Sequence, residues 1–214
     1  MTAALAAWPG TERVRQSYAS LVEHYTALTF SYGRFPGLQQ EVEAFLALLP
    51  VGPVLDLGCG AGRDAHLTAQ SGRTAILADV TLELLSATAA RLGIPRAVCG
   101  DAVALPFRDG CFAGVIASGV LLHLPKPYTR TALASVRRTL VPGGRALISM
   151  KHGGQDGWRT TEEFPAPRWF TYYEPDEFAE VCRAVGLGVT HLDMSTRKDW
   201  FTVTAERPRL ESSG

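Results

Sequence analysis

Three acids stand where chemistry is most easily read from this chain. Asp56, Asp79 and Asp101 each lie at or just after a short apolar run, and Asp56 leads into the glycine-rich turn Gly58-Cys59-Gly60-Ala61-Gly62-Arg63. Glycine at Gly58, Gly60 and Gly62 lets a ligand approach the backbone and tolerates positive φ. A glycine turn also serves as an ordinary strand-to-helix connection, so the neighbours decide its meaning. A dinucleotide fingerprint requires glycine at position 63, where Arg63 stands, which disfavours pyrophosphate. Asp56 would repel phosphate and suits an ammonium-bearing ligand, so the ligand expected here carries positive charge. Asp79, about 20 residues further on, is placed to accept both hydroxyls of a ribose. Its other reading is a cap for the following helix, a role open to Thr81 as well. Asp101 follows Ala97-Val98-Cys99, where it either accepts from an adenine amino group or closes an Asx-turn with Gly100.

A second set of residues suits the handling of an acceptor molecule. His123, in Leu121-Leu122-His123-Leu124-Pro125, titrates near neutrality and is the candidate general base, or else packs and bonds backbone. Tyr18 and Tyr25 are seven residues apart on roughly one helical face, either reaching the site or packing on the core. Lys151, His152, Arg168, Tyr172 and Tyr173 fall in one long segment that reads as a pocket for an acidic or aromatic molecule, or as a solvated basic loop with an aromatic anchor. Arg34 is a further anion contact.

The elements that position these residues follow from periodicity. Residues 11–30 read as one helix, and 38–49 as a second, after Pro36-Gly37. Beyond Pro50, short apolar runs at 54–57, 75–78, 115–117 and 146–150 alternate with helical stretches at 82–92 and 129–140. That alternation marks a parallel sheet covered on both faces. Thr81 is the expected N-cap of the 82–92 helix, and Gly93 with Pro95 its stop. Residues 175–186 read as a helix, and 187–192 and 200–204 as strands that close the sheet. The glycines and prolines of 151–174 forbid a long regular element, yet Trp158, Trp169, Phe170, Tyr172 and Tyr173 argue against disorder there.

Composition narrows the function classes. The 214 residues are 46% hydrophobic, enough for one substantial core with appendages, and 21 basic side chains balance 21 acidic ones. No global positive field exists to hold a phosphate backbone, so no nucleic-acid partner is expected. The cysteines, Cys59, Cys99, Cys111 and Cys182, form no C-x-x-C pair and fit free thiols in a reducing compartment. With no apolar run near 18 residues and no basic leader, a cytoplasmic protein without a membrane span is expected.

Taken together, four stretches resemble the class I S-adenosylmethionine (SAM)-dependent methyltransferases, and in particular their bacterial small-molecule branch. They are VLDLGCGAGRDA (54–65), ILADV (76–80), GDAVALPFRDGCFAGVIASGVLLHLP (100–125) and LVPGGRALISM (140–150), in that order. With the helices between them they cover about half the chain. The resemblance implies a Rossmann-like α/β fold, with a seven-stranded, mostly parallel sheet, helices on both faces and the last strand antiparallel. It implies SAM as cofactor and S-adenosylhomocysteine (SAH) as product. Asp56 and backbone at Gly58, Cys59, Gly60 and Gly62 would hold the methionine end of SAM, Asp79 its ribose, and Val80, Asp101 and Ala102 its adenine, with Ser118 lining the methionine. In similar proteins an N-terminal helix folds over the site and supplies tyrosine, which assigns Tyr18 to the cofactor and Tyr25, with His123, to catalysis. Cys59 stands where the family admits several residue types.

The expected organisation is a helical cap over 1–50, a SAM-binding domain over 51–206 with a substrate-side insertion at 152–174, and a tail at 207–214. The expected reaction is methyl transfer to O, N or S of a small metabolite, by a monomer or homodimer. The competing readings are a SAM-binding protein without catalysis and an RNA or protein methyltransferase. Against the adenine-methylating type, Ser118-Gly119-Val120-Leu121 replaces an N/D-P-P-Y motif. A nicotinamide dehydrogenase is disfavoured by Arg63, and metal assistance by the lack of a ligand cluster.

Overall fold

Alternating side chains along the short apolar runs assemble the core on two sides of one sheet. A computed structural model describes residues 7–194 and 197–209, so residues 1–6 of the expected cap and 210–214 of the expected tail lie outside the described residues. In β1 (Val54–Leu57), Leu55 and Leu57 enter the larger core cluster and Val54 the opposite one. In β4 (Phe112–Ser118), Val115 and Ala117 follow the first pair and Ile116 the second, as period-two geometry requires. On one face α3 (Leu38–Ala47) buries Leu38, Val42, Phe45 and Leu46. On the other, α6 (Lys126–Thr139) and α7 (Pro175–Ala184) bury Leu133, Val136, Phe178 and Cys182. Each such side chain withdrawn from water contributes about 1.5–3 kcal/mol before the entropy of ordering it.

The remaining strands are β2 (Ala75–Asp79), β3 (Ala97–Cys99), β5 (Leu140–Lys151), β8 (Gly188–Asp193) and β9 (Trp200–Glu206). The sheet order is β3-β2-β1-β4-β5-β9-β8, with β9 antiparallel to both of its neighbours and every other pairing parallel. The chain therefore runs one way from β1 to β3 and the other way from β4 onward. The carboxyl ends of β1 and β4 form the topological switch point where open α/β sheets bind ligands. The helices α4 (Arg63–Gln70) and α5 (Leu82–Leu92) follow β1 and β2 and carry the loops that face this point. Among the described residues, no helix is long and apolar enough to cross a membrane.

Two expectations are refined. The single helix over 11–30 is broken into α1 (Thr11–Ala19) and α2 (Val22–Thr29). Ser17 and Ser20 hydroxyls bond the backbone oxygens of Arg13 and Ser17, and Ser17 also bonds Pro167, so local side-chain bonding competes with helix continuation. The 151–174 segment forms a two-stranded ribbon of β6 (Gly157–Arg159) and β7 (Arg168–Phe170). Trp158 pairs with Trp169 across it at 5.9 Å between rings, and Trp8 packs on both.

Candidate active site

The glycine loop after β1 turns in left-handed backbone, with φ +63° at Gly58 and +51° at Gly60. A Cβ on Gly58 would lie 2.3 Å from Val120 Cγ2, and one on Gly60 would lie 3.0 Å from the Tyr25 ring. Only glycine allows the loop to sit this close to both. Asp79, 7% exposed, fixes the loop from the tip of β2: its carboxylate accepts from Gly60 N at 3.0 Å and from Thr81 N at 2.8 Å. Thr81 makes no side-chain cap, so Asp79 takes part of that task itself. Asp101 accepts from Val103 N at 3.0 Å, an Asx-type turn, and from the Thr11 hydroxyl at 3.5 Å across the cleft.

Beneath the loop lies a group of buried charges. Asp56 accepts from Ala65 N at 2.9 Å, and Asp64 accepts from Tyr32 Oη at 2.7 Å and Arg63 Nε at 2.9 Å. Burial and the Asp64 charge hold the Asp56 carboxyl well above the usual carboxylate range. Burial also opposes ionisation of Asp64, but Arg63 and Tyr32 outweigh it and keep its carboxyl below that range. Burial raises Asp79 against the N–H bonds that lower it. Asp56 and Asp64 thus share the Arg63 guanidinium, while Asp79 stands in the wall of the cleft above.

Two cavities meet over these groups. The first is a narrow cleft walled by Trp8, Thr11, Asp79, Val80, Asp101 and Ala102, among others. The second encloses about 620 Å³ and includes Arg34, Lys151, Trp158, Arg168, Tyr172 and Trp200 in its walls. Tyr18, Tyr25, Ser118, Gly119 and His123 line both, at the junction. There Tyr18 and Tyr25 stack edge to face at 5.1 Å, and burial pushes both phenols up, so they are neutral donors. His123 Nδ1 lies 2.5 Å from the Trp169 carbonyl and Nε2 2.8 Å from Tyr18 Oη. The carbonyl only accepts, so Nδ1 carries the proton and Nε2 accepts from Tyr18. Burial holds His123 down at about 4, leaving it neutral.

The sequence-derived candidates divide accordingly. Gly58, Gly60, Asp79, Val80, Asp101, Ala102, Ser118, Tyr18 and Tyr25 stand around the cleft. Asp56, Cys59 and Gly62 are not among its lining residues; Asp56 anchors the start of α4 from below. Arg34, Lys151, Arg168 and Tyr172 line the larger cavity, Arg34 paired there with Glu163. Tyr173 is 2% exposed and packs instead on Phe178. Sequence reasoning missed Trp8 and Thr11 as cleft walls. Trp8 alone gave a signal, as a large ring in a run of small residues.

The arrangement defines a Rossmann-like α/β protein with a small-molecule cleft at its switch point and a separate chamber beside it. Residues 54–144 match a family model described as a methyltransferase domain. The chain is 37% identical over 143 residues to a malonyl-[acyl-carrier protein] O-methyltransferase of Herminiimonas arsenicoxydans, covering 62% of this chain and 53% of that protein. It is 32% identical over 124 residues to a demethylmenaquinone methyltransferase of Corynebacterium urealyticum, covering 58% and 52%. The chain thus spans about half the length of these curated relatives. A crystal structure of Burkholderia thailandensis 1,6-didemethyltoxoflavin-N1-methyltransferase, with its substrate and SAH bound, shares the fold at TM-score 0.74 and 22% identity, over 96% of this chain and 92% of that one. Residues 54–144 thus resemble a methyltransferase domain, within a fold shared with an SAH-bound methyltransferase. The lining fits S-adenosylmethionine: the Asp79 and Asp101 carboxylates stand in the cleft wall, and Ser118 Oγ at the junction is buried without a well-formed hydrogen bond, beside the Asp64 carboxylate.

Proposed function

We propose that the protein transfers a methyl group from SAM to a small molecule held in the 620 Å³ cavity. The observation that carries this reading is the junction itself: five residues are common to the narrow cleft and the larger chamber, so a group can pass from one to the other there. When bound, SAM supplies a methyl group on a positively charged sulfur, which a well-aligned nucleophile displaces in line.

Asp79 holds the ribose hydroxyls, Asp101 and Ala102 meet the adenine edge, and the Gly58–Gly60 backbone, with Ser118, borders the methionine. Tyr25 closes the loop from above, and the second cavity aligns the acceptor, a contribution worth ~7–11 kcal/mol when geometry is good. If the acceptor must lose a proton, it passes to the Tyr18 oxygen as the Tyr18 proton moves to His123 Nε2. The Trp169 carbonyl then steadies the imidazolium from Nδ1. Balanced charge and four unpaired cysteines support a cytoplasmic enzyme acting on a free metabolite.

The test is incubation with methyl-labelled SAM and fractionated cell metabolites, alongside calorimetry with SAH and NAD. Micromolar SAH binding and a labelled small product are expected. NAD binding in place of SAH, or SAH binding with no labelled product from any fraction, would refute the reading.

A further inference from the structure

Arg168, in the wall of the larger cavity, has a guanidinium that its surroundings satisfy only in part, the Tyr18 hydroxyl being the polar group that reaches it. It sits on β7, is 7% exposed, and makes no ion pair among the described residues. Its Nε is buried without a hydrogen-bond partner. Three rings surround the guanidinium, Phe164 at 4.4 Å, Phe170 at 5.2 Å and Tyr18 at 5.9 Å from their centroids. Aromatic faces attract the charge, but they do not serve a five-donor fork as carboxylate oxygens do. A buried guanidinium left in this way is unfavourable until an anion completes it.

Lys151, at the end of β5, faces the same cavity. It is half-buried, its Nζ lies 5.0 Å from the Trp200 ring, and it makes no ion pair among the described residues. Burial lowers the Lys151 ammonium, Asp199 offsets part of this, and the Arg168 charge lowers it further, so the two cations feel one another. The acid on this wall, Glu163, is already paired with Arg34, and Arg63 is paired with Asp64.

Resting on the reading of this chamber as the acceptor site, we infer that the acceptor is a small, flat organic acid whose carboxylate seats against Arg168 and Lys151. Arg168 gives a bidentate, directional contact and Lys151 a point charge. Trp158, Phe170 and Tyr172 provide the flat walls that receive the body of the molecule. The carboxylate is the recognition handle.

Benzoate and its neutral isostere benzamide test this directly. Each is titrated into the full chain saturated with SAH, with binding followed by ligand-observed NMR and by the fluorescence of the cavity tryptophans. Benzoate is expected to bind about tenfold or more tighter than benzamide. Arg168→Gln should erase that preference, Arg168→Lys should keep part of it, and both should bind SAH within about twofold of the parent. Should Arg168→Gln fail to fold, Lys151→Gln carries the same comparison, with a reduced preference expected. Equal binding of the two probes, no benzoate binding up to about 10 mM, or a preference that survives Arg168→Gln overturns the inference. Failure of the parent chain to bind SAH would count against the cofactor assignment alone, and the preference measured without SAH then decides the anion site.

Discussion

Tyr18 Oη donates to His123 Nε2 at 2.8 Å, and this one bond joins the N-terminal helix to the end of the β4 loop across the mouth of both cavities. His123 therefore meets any acceptor through the tyrosine. Replacing Tyr18 with Phe should slow methyl transfer ~10²-fold for an acceptor that must lose a proton. The same change should leave nearly unaltered the rate for an acceptor already anionic or a free amine. Equal losses for both acceptor types, in single-turnover assays, would show that the hydroxyl only positions.

The buried imidazole also sets an acid limit on stability. Held near 4 in the folded chain against 6.5 when free, it is protonated first in the unfolded chain as the pH falls. Its contribution is intact above about 6.5 and is lost between there and about 4, on the order of 3 kcal/mol in all. Urea titrations of the parent and His123→Gln at pH 7 and pH 5 should show the parent losing more stability on acidification. Parallel losses would mean that the imidazole is not held neutral.

Asp79→Asn retains shape but removes the charge that accepts from Gly60 N and Thr81 N. Loss of charge-assisted bonds should weaken SAH by ~1–3 kcal/mol, read by calorimetry. An unchanged dissociation constant would remove Asp79 from the cofactor site.

At Gly58 a methyl group meets Val120, and φ is already +63°. Gly58→Ala should cost at least about 2 kcal/mol in chemical denaturation. Adding Val120→Ala should recover part of that loss. Simple additivity of the two substitutions would show that the contact is not the cause.

The cleft encloses only about 90 Å³, below the range of about 300–1,000 Å³ usual for small-molecule sites, and Trp8 and Thr11 help to wall it. Cofactor admission should thus require the N-terminal segment to move. Trp8→Ala removes its stacking on Trp158 and Trp169 and should speed SAH association and release several-fold in stopped-flow. Unchanged rates would place the barrier elsewhere.

The primary sequence was sufficient for the sheet and its switch point, because period-two runs such as 54–57 and 115–117 and the glycines after β1 are local signals. It also marked Asp79 and Asp101, whose place at strand tips follows from the same pattern. Tertiary structure alone decided that Asp56 turns down to Ala65 N while Asp79 faces the cleft, since both are acids beside a glycine loop. It alone paired Tyr18 with His123, 105 positions apart, and set Arg168 over the ring of the same Tyr18. Such contacts join side chains whose separation along the chain carries no periodic trace, and packing, rather than local preference, selects them.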